Sequence, residues 1–97
     1  MIRHVVLFKF KSGIDWDDPR ALAAERTAIK VGGEVPELRE WRHGRNVSDR
    51  KIAYDFLVEG LMDDMESVER YLTHPFHQEA VRQWREISDW VMVDVET

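Results

Sequence analysis

Apolar positions alternate with polar ones from Ile2 to Phe10 in two registers at once. Ile2, His4, Val6, Phe8 and Phe10 share one face, and Arg3, Val5, Leu7 and Lys9 share the other. Both faces carry apolar residues, mostly β-branched or aromatic, so the segment predicts a strand covered on both sides. Ser12-Gly13 opens a loop, and Asp17-Asp18-Pro19 reads as a helix start, with acid at the positive helix end and proline in the first turn. That helix is expected to run through Ala21, Leu22, Ala28 and Ile29 and to stop at Gly32-Gly33.

Beyond Pro36, Leu38 to Asn46 predicts a more polar strand at a sheet edge, with Trp41 as its one large apolar residue. Ser48-Asp49-Arg50 is a turn, and Ile52 to Leu61 alternates again as a strand. Asp63 with Glu66 three residues on resembles a capping box, followed by the stripe Met65, Val68, Tyr71 and Leu72. Pro75 breaks this helix and opens another that runs to about Ser88, and Trp90 to Glu96 is the last strand. The order β-α-β-β-α-β predicts an α+β domain spanning 1–97, a ferredoxin-like antiparallel sheet with helices on one face.

A chain of 97 residues is one domain with little core to spare. Its net charge of -5 argues against nucleic acid and against an anionic membrane surface as partners. With no cysteine there is no disulfide, thiolate nucleophile or Cys-bound metal, and a reducing, cytoplasmic setting is expected. The opening residues form a strand pattern rather than a signal peptide's apolar core, and no apolar run approaches the roughly 20 residues of a membrane span. Helices cover only one face of such a sheet. The other face still holds Val5, Leu7, Ala53, Leu57, Val91, Val93 and Val95, a larger apolar patch than monomers expose. A second sheet is its natural cover, which predicts a homodimer through the open sheet face.

The chemistry concentrates in Tyr71-Leu-Thr-His74-Pro75-Phe-His77. At helical spacing His77 shares a face with Ala80, Val81, Trp84 and Ile87, so an imidazole points where apolar side chains point. Histidine both takes and gives a proton near neutral pH, and a phenol one turn away can stabilise an oxyanion. His77 as base and Tyr71 as donor are the candidate catalytic pair. The structural alternative is a histidine with its hydrogen bonds met and a core tyrosine. His74 and His77 stand three apart, but Pro75 sends His74 to the helix cap, so their rings should diverge and no metal site is expected. His4, on the inward register, is placed to meet Asp94 of the last strand. Arg45, Asn46 and Ser48 read as a turn rather than a phosphate site, since no glycine-rich loop leads into a helix.

With these elements in order, the chain resembles the stress-responsive A/B-barrel (Dabb) domain family of the dimeric α+β barrels. The resemblance rests on Ile2-Arg-His4-Val-Val-Leu-Phe-Lys-Phe10, Gly44-Arg45-Asn46-Val-Ser48, Tyr54-Asp-Phe, Glu66-Ser67-Val-Glu-Arg-Tyr71, His74-Pro75-Phe-His77 and Asp94. It implies a homodimer whose two sheets close into a barrel. It also implies mixed functions, from stress-induced proteins without known catalysis to polyketide cyclases that work without a metal or organic cofactor. In the cyclases a histidine and a tyrosine at the places of His77 and Tyr71 move the proton. Phe56 departs from that pattern, where such cyclases can carry a polar residue, as do Glu25 and Ala28, where a cyclase may carry bulky aromatics. The expected cavity is small and mostly apolar, between sheet and helices. Beside Tyr71 and His77 it would use His4, Val6, Phe8 and Val58, together with Trp90, Met92 and Asp94, to hold a small aromatic or polyketide-like compound without a cofactor. Two alternatives remain: a non-catalytic stress-associated assembly protein, and a cofactor-free monooxygenase of the related dimeric barrels.

Overall fold

The computed structural model describes residues Met1–Thr97. Four strands and three helices follow one another as β1 (Ile2–Phe10), α1 (Pro19–Glu34), β2 (Glu40–Arg45), β3 (Phe56–Met62), α2 (Met65–Thr73), α3 (Pro75–Ile87) and β4 (Ser88–Glu96). The strands form one antiparallel sheet in the order β2-β3-β1-β4, the ferredoxin-like arrangement. β1 lies in the middle, pairing with β3 from Ile2↔Met62 to Phe8↔Phe56 and with β4 from Ile2↔Glu96 to Phe10↔Ser88. Its even register is the helix-facing one: Ile2, His4, Val6 and Phe8 are buried, as are Phe56, Val58 and Met62 opposite them on β3.

The helix layer is built around small residues. α1 buries Ala21, Ala24, Ala28 and Val31, while Leu22 is only half-buried and Ile29 is exposed. An alanine face lets neighbours reach the helix backbone. The Trp84 indole N–H donates to the Ala24 carbonyl at 3.1 Å, and that of Trp41 to the Ala28 carbonyl at 2.9 Å. Both indoles thereby bury their ring and keep their one donor satisfied.

Four local expectations are corrected. α1 does not stop at Gly32-Gly33 but continues to Glu34, and Pro36 then holds Val35 extended at φ -104°, ψ 107°. The glycines serve packing instead. A Cβ on Gly32 would lie 2.6 Å from Trp41 Cδ1, and one on Gly60 would lie 2.7 Å from Leu38 and 3.3 Å from Trp41. Trp41 sits in a slot between α1 and β3 that two glycines keep open. β3 begins at Phe56, not Ile52, so Ala53 lies outside the sheet and Ile52 is 83 % exposed. Residues 52–54 make no backbone ladder to a neighbouring strand, and only Asp55 does, its N–H donating to the Phe8 carbonyl at 2.7 Å. There the Ala53 N–H closes a turn onto Arg50, and Asp55 takes the Phe10 N–H on its carboxylate at 2.8 Å. The cap of α2 is Asp64, which accepts from the Ser67 N–H at 2.8 Å, whereas Asp63 pairs with Arg39 at 2.9 and 2.8 Å. β4 starts at Ser88 rather than Trp90, because Ser88 ends α3 by donating its hydroxyl to the Trp84 carbonyl and enters the β1 ladder at once.

The open face carries Val5 and Leu7 of β1, Leu57 and Leu61 of β3, and Val91, Val93 and Val95 of β4. The three β4 valines leave 50, 51 and 45 % of their surface exposed. No helix is long and apolar enough to cross a membrane.

Alanine normally stabilises a helix over glycine by about 0.5–1 kcal/mol, so Gly33→Ala, which meets nothing within 4 Å, should raise the melting temperature. Gly32→Ala, one residue earlier, should lower it, because overpacking against Trp41 costs about 1–3 kcal/mol of stability. Thermal unfolding of the two variants checks the sign reversal.

Candidate functional site

Three elements bring the titratable side chains together. β1 sets His4 on its helix-facing register. α2 ends with Tyr71 on its buried face, and α3 begins with His77 just beyond the Pro75 break. His74 is the hinge between the helices: its ring Nδ1 accepts the Phe76 N–H at 3.1 Å and its carbonyl accepts the Gln78 N–H at 3.0 Å. Its ring Nδ1 is thus spent on capping α3. No group of three or more His, Asp or Glu side chains is placed to hold a metal ion.

The rings form a row. His4 and Tyr71 meet edge-on with centroids 5.2 Å apart, and Tyr71 and His77 lie 4.2 Å apart at 47°. Behind His4, Asp94 stands opposite in the β1–β4 ladder, and its Oδ1 is 2.6 Å from His4 Nδ1. The carboxylate accepts, so His4 Nδ1 carries the proton. His4 is 2 % exposed, and this contact satisfies a polar ring inside an apolar layer.

His77 is fixed in the same way. Its Nδ1 lies 3.2 Å from the Leu72 carbonyl. A carbonyl only accepts, so in the neutral ring Nδ1 holds the hydrogen and Nε2 keeps its lone pair. Burial lowers the His77 pKa below its ordinary 6.5; the Leu72 carbonyl opposes this in part, and the nearby His4 and His74 add to it. Burial, and then the Asp94 carboxylate, push the Tyr71 phenol far above its ordinary 10.0. At neutral pH the pair is therefore a neutral base beside a neutral donor. The Tyr71 hydroxyl has no hydrogen-bond partner in the chain.

Tyr71 and His77 border a cavity of about 830 Å³ between the sheet and the helices. Its floor is His4, Val6 and Phe8 of β1, Val58 of β3, and Trp90 and Met92 of β4. Its roof is the face of α3 that carries His77, Ala80, Val81 and Trp84. It opens where α3 overhangs β4: Val6 is buried, yet Met92, its partner on β4, is 48 % exposed. Asp94, expected on the wall, does not reach it, because its carboxylate is engaged behind His4. His43 is exposed on β2. Arg45 reaches back to Glu25 of α1 at 2.7 and 2.6 Å over the Trp16 ring, and Asn46 and Ser48 bond each other in a turn. Phe56 stacks on Trp84 at 4.9 Å and 13°.

The sequence reading missed Trp41 and Leu72, and the polar rim Gln78, Arg82, Arg85 and Glu86. Gly32 and Gly60 were the signal for Trp41, legible only once the two elements are known to face each other. The rim residues look like an ordinary solvated helix face until β4 is placed beneath them.

A ferredoxin-like sheet with one helical face, and an open-mouthed cavity between them, defines the class. Within it the chain belongs to the stress responsive A/B barrel domain family, whose sequence profile matches residues 2–97. It is 47 % identical over 96 residues to an uncharacterized protein of Streptomyces coelicolor, covering 99 % of both chains. A dimeric ferredoxin-like protein of unknown function from Thermobifida fusca superposes with a TM-score of 0.86 at 25 % identity, over 99 % of this chain and 90 % of that one. A hydroxynitrile lyase from Passiflora edulis shares the fold at 16 % identity, with a TM-score of 0.80 over 97 % of this chain and 90 % of that one.

The lowered His77 pKa fixes a pH dependence. Just below pH 6.5 the unfolded chain takes up a proton at this residue that the folded chain refuses, so stability falls with pH until the folded value is reached and then levels. His77→Gln should flatten the fall of the melting temperature on acidification below pH 6.5 relative to the parent. Parallel curves would mean that His77 titrates alike in both states.

Proposed function

We propose that this chain works as a homodimer in which each copy holds a small, largely apolar aromatic or polyketide-like compound and moves a proton on it. The observation that carries this reading is the Tyr71–His77 pair on the wall of an otherwise apolar cavity. One ring nitrogen is locked as a donor to Leu72, and the other is left with a free lone pair. A base and a neutral oxyanion donor in one low-dielectric pocket suit proton abstraction next to a carbonyl.

For a chain of carbonyls the step runs as an intramolecular aldol closure. His77 Nε2 takes a proton from the carbon between two carbonyls, and Tyr71 O–H hydrogen-bonds the enolate oxygen. The carbanion attacks a second carbonyl of the same molecule, forming the ring carbon–carbon bond. The new alkoxide recovers the proton from the His77 imidazolium, so atoms and charge balance. Asp94 and His4 act behind Tyr71 as positioning residues. The dimer is supported by the exposed valines of β4 and by the dimeric relative from Thermobifida fusca. The lyase from Passiflora edulis is a protein of the same fold with a named catalytic activity, and at 16 % identity it bears on the fold alone.

A positioned general base contributes typically about 10²–10⁴-fold, so His77→Ala should cut single-turnover cyclisation of a linear triketide by that factor while the chain stays folded. Tyr71→Phe keeps the ring and removes the donor, so it should lower kcat more than it raises KM. Turnover unchanged in His77→Ala, with only a lower melting temperature, would make the histidine structural and leave assembly as the function.

A further inference from the structure

The rim of the cavity carries an unbalanced charge. Arg82, Arg85 and Glu86 are its charged rim residues. Arg82 is held by Glu79, with Nε 2.9 Å from Oε2, and Glu86 faces Arg20 at 3.5 Å. Arg85 has no carboxylate within ion-pair distance. Its guanidinium instead lies 5.8 Å above the Trp90 ring, which is itself part of the cavity floor. Lys11 and Asp89 share the shallow depression on the far side of Arg85 and carry opposite charges. One guanidinium therefore stands unpaired at the mouth of an apolar cavity, in a chain whose net charge is -5.

We infer that Arg85 with Trp90 is an anion-recognition subsite that selects ligands bearing a carboxylate at one end of a flat apolar body. This rests on the proposed use of the cavity and narrows its substrate class. The planar guanidinium matches a carboxylate in a two-pronged hydrogen bond, and the indole face beneath it offers a cation–π contact. His77 and Arg85 lie eight positions apart on α3, roughly 12 Å at the helical rise. The carboxylate is thus held away from the reacting pair, with the apolar body spanning Phe8, Trp84 and Trp90 between them. The subsite orients: it admits the ligand with its uncharged end toward Tyr71 and His77.

The test uses biphenyl-4-carboxylate and its neutral counterpart biphenyl-4-carboxamide, with binding read from tryptophan fluorescence. A charge-assisted hydrogen bond at a half-open site should favour the carboxylate by about 10-fold. Arg85→Gln should erase that preference and leave amide affinity within about 2-fold, and Arg85→Lys should keep part of it. Raising salt from about 0.05 to about 0.5 M should weaken the carboxylate alone. Equal affinity for the two probes in the parent protein, or a preference that survives Arg85→Gln, overturns the subsite while the cavity reading stands. Binding of neither probe overturns both.

Discussion

Every feature of this molecule follows from a central strand that is apolar on both faces. β1 hydrogen-bonds to β3 on one edge and β4 on the other, so its alternation is imposed on the whole sheet. Three helices satisfy the even register. Nothing in a single chain satisfies the odd one, where Val5 and Leu7 run between Leu57 on one side and Val91 and Val93 on the other. Fully burying a valine is worth about 1.5 kcal/mol or more, and the three half-exposed β4 valines alone leave a few kcal/mol ungained in a small domain. The proposed second copy supplies that missing half of the core.

The same register builds the site. A residue on the even face of β1 must enter the helix layer, and at position 4 that residue is a histidine. Burying it is costly unless its polar atoms are met. The strand opposite meets Nδ1, because the antiparallel ladder sets Asp94 beside it. Tyr71 then packs edge-on to His4, and His77 against Tyr71. A row of rings thus runs from the central strand to the first turn of α3, each held by a neighbour. Reaction chemistry requires this kind of fixed geometry, and a satisfied core does as well. What separates the two here is the open volume beside Tyr71 and His77, with the Tyr71 hydroxyl and the His77 Nε2 left unused by the chain.

The order of elements and the buried face of β1 were legible because strict alternation leaves a strand no choice of face. The pairing of His4 with Asp94 was legible as a possibility, since both fall on one register of neighbouring strands. The end of α1 was not. Gly32-Gly33 looks like a stop, but glycine also remains in a helix when a neighbour needs the space, and that neighbour, Trp41, comes from another element. Residues 52–54 alternate like a strand, yet a strand needs a partner, and pairing information is not local. The mouth of the cavity was hidden for the same reason. Arg85 and Trp90 are five apart in sequence, across a helix-to-strand junction, and only the overhang of α3 sets one above the other.

Sedimentation equilibrium at micromolar concentration tests the central constraint most directly, on the parent chain and on Val93→Lys. The expected parent mass is close to twice 11.5 kDa, and charge in the middle of the β4 valines should destroy the dimer and with it much of the stability. A parent chain that sediments as a folded, monodisperse species of 11.5 kDa would contradict it, because the open face of the sheet would then be stable in water.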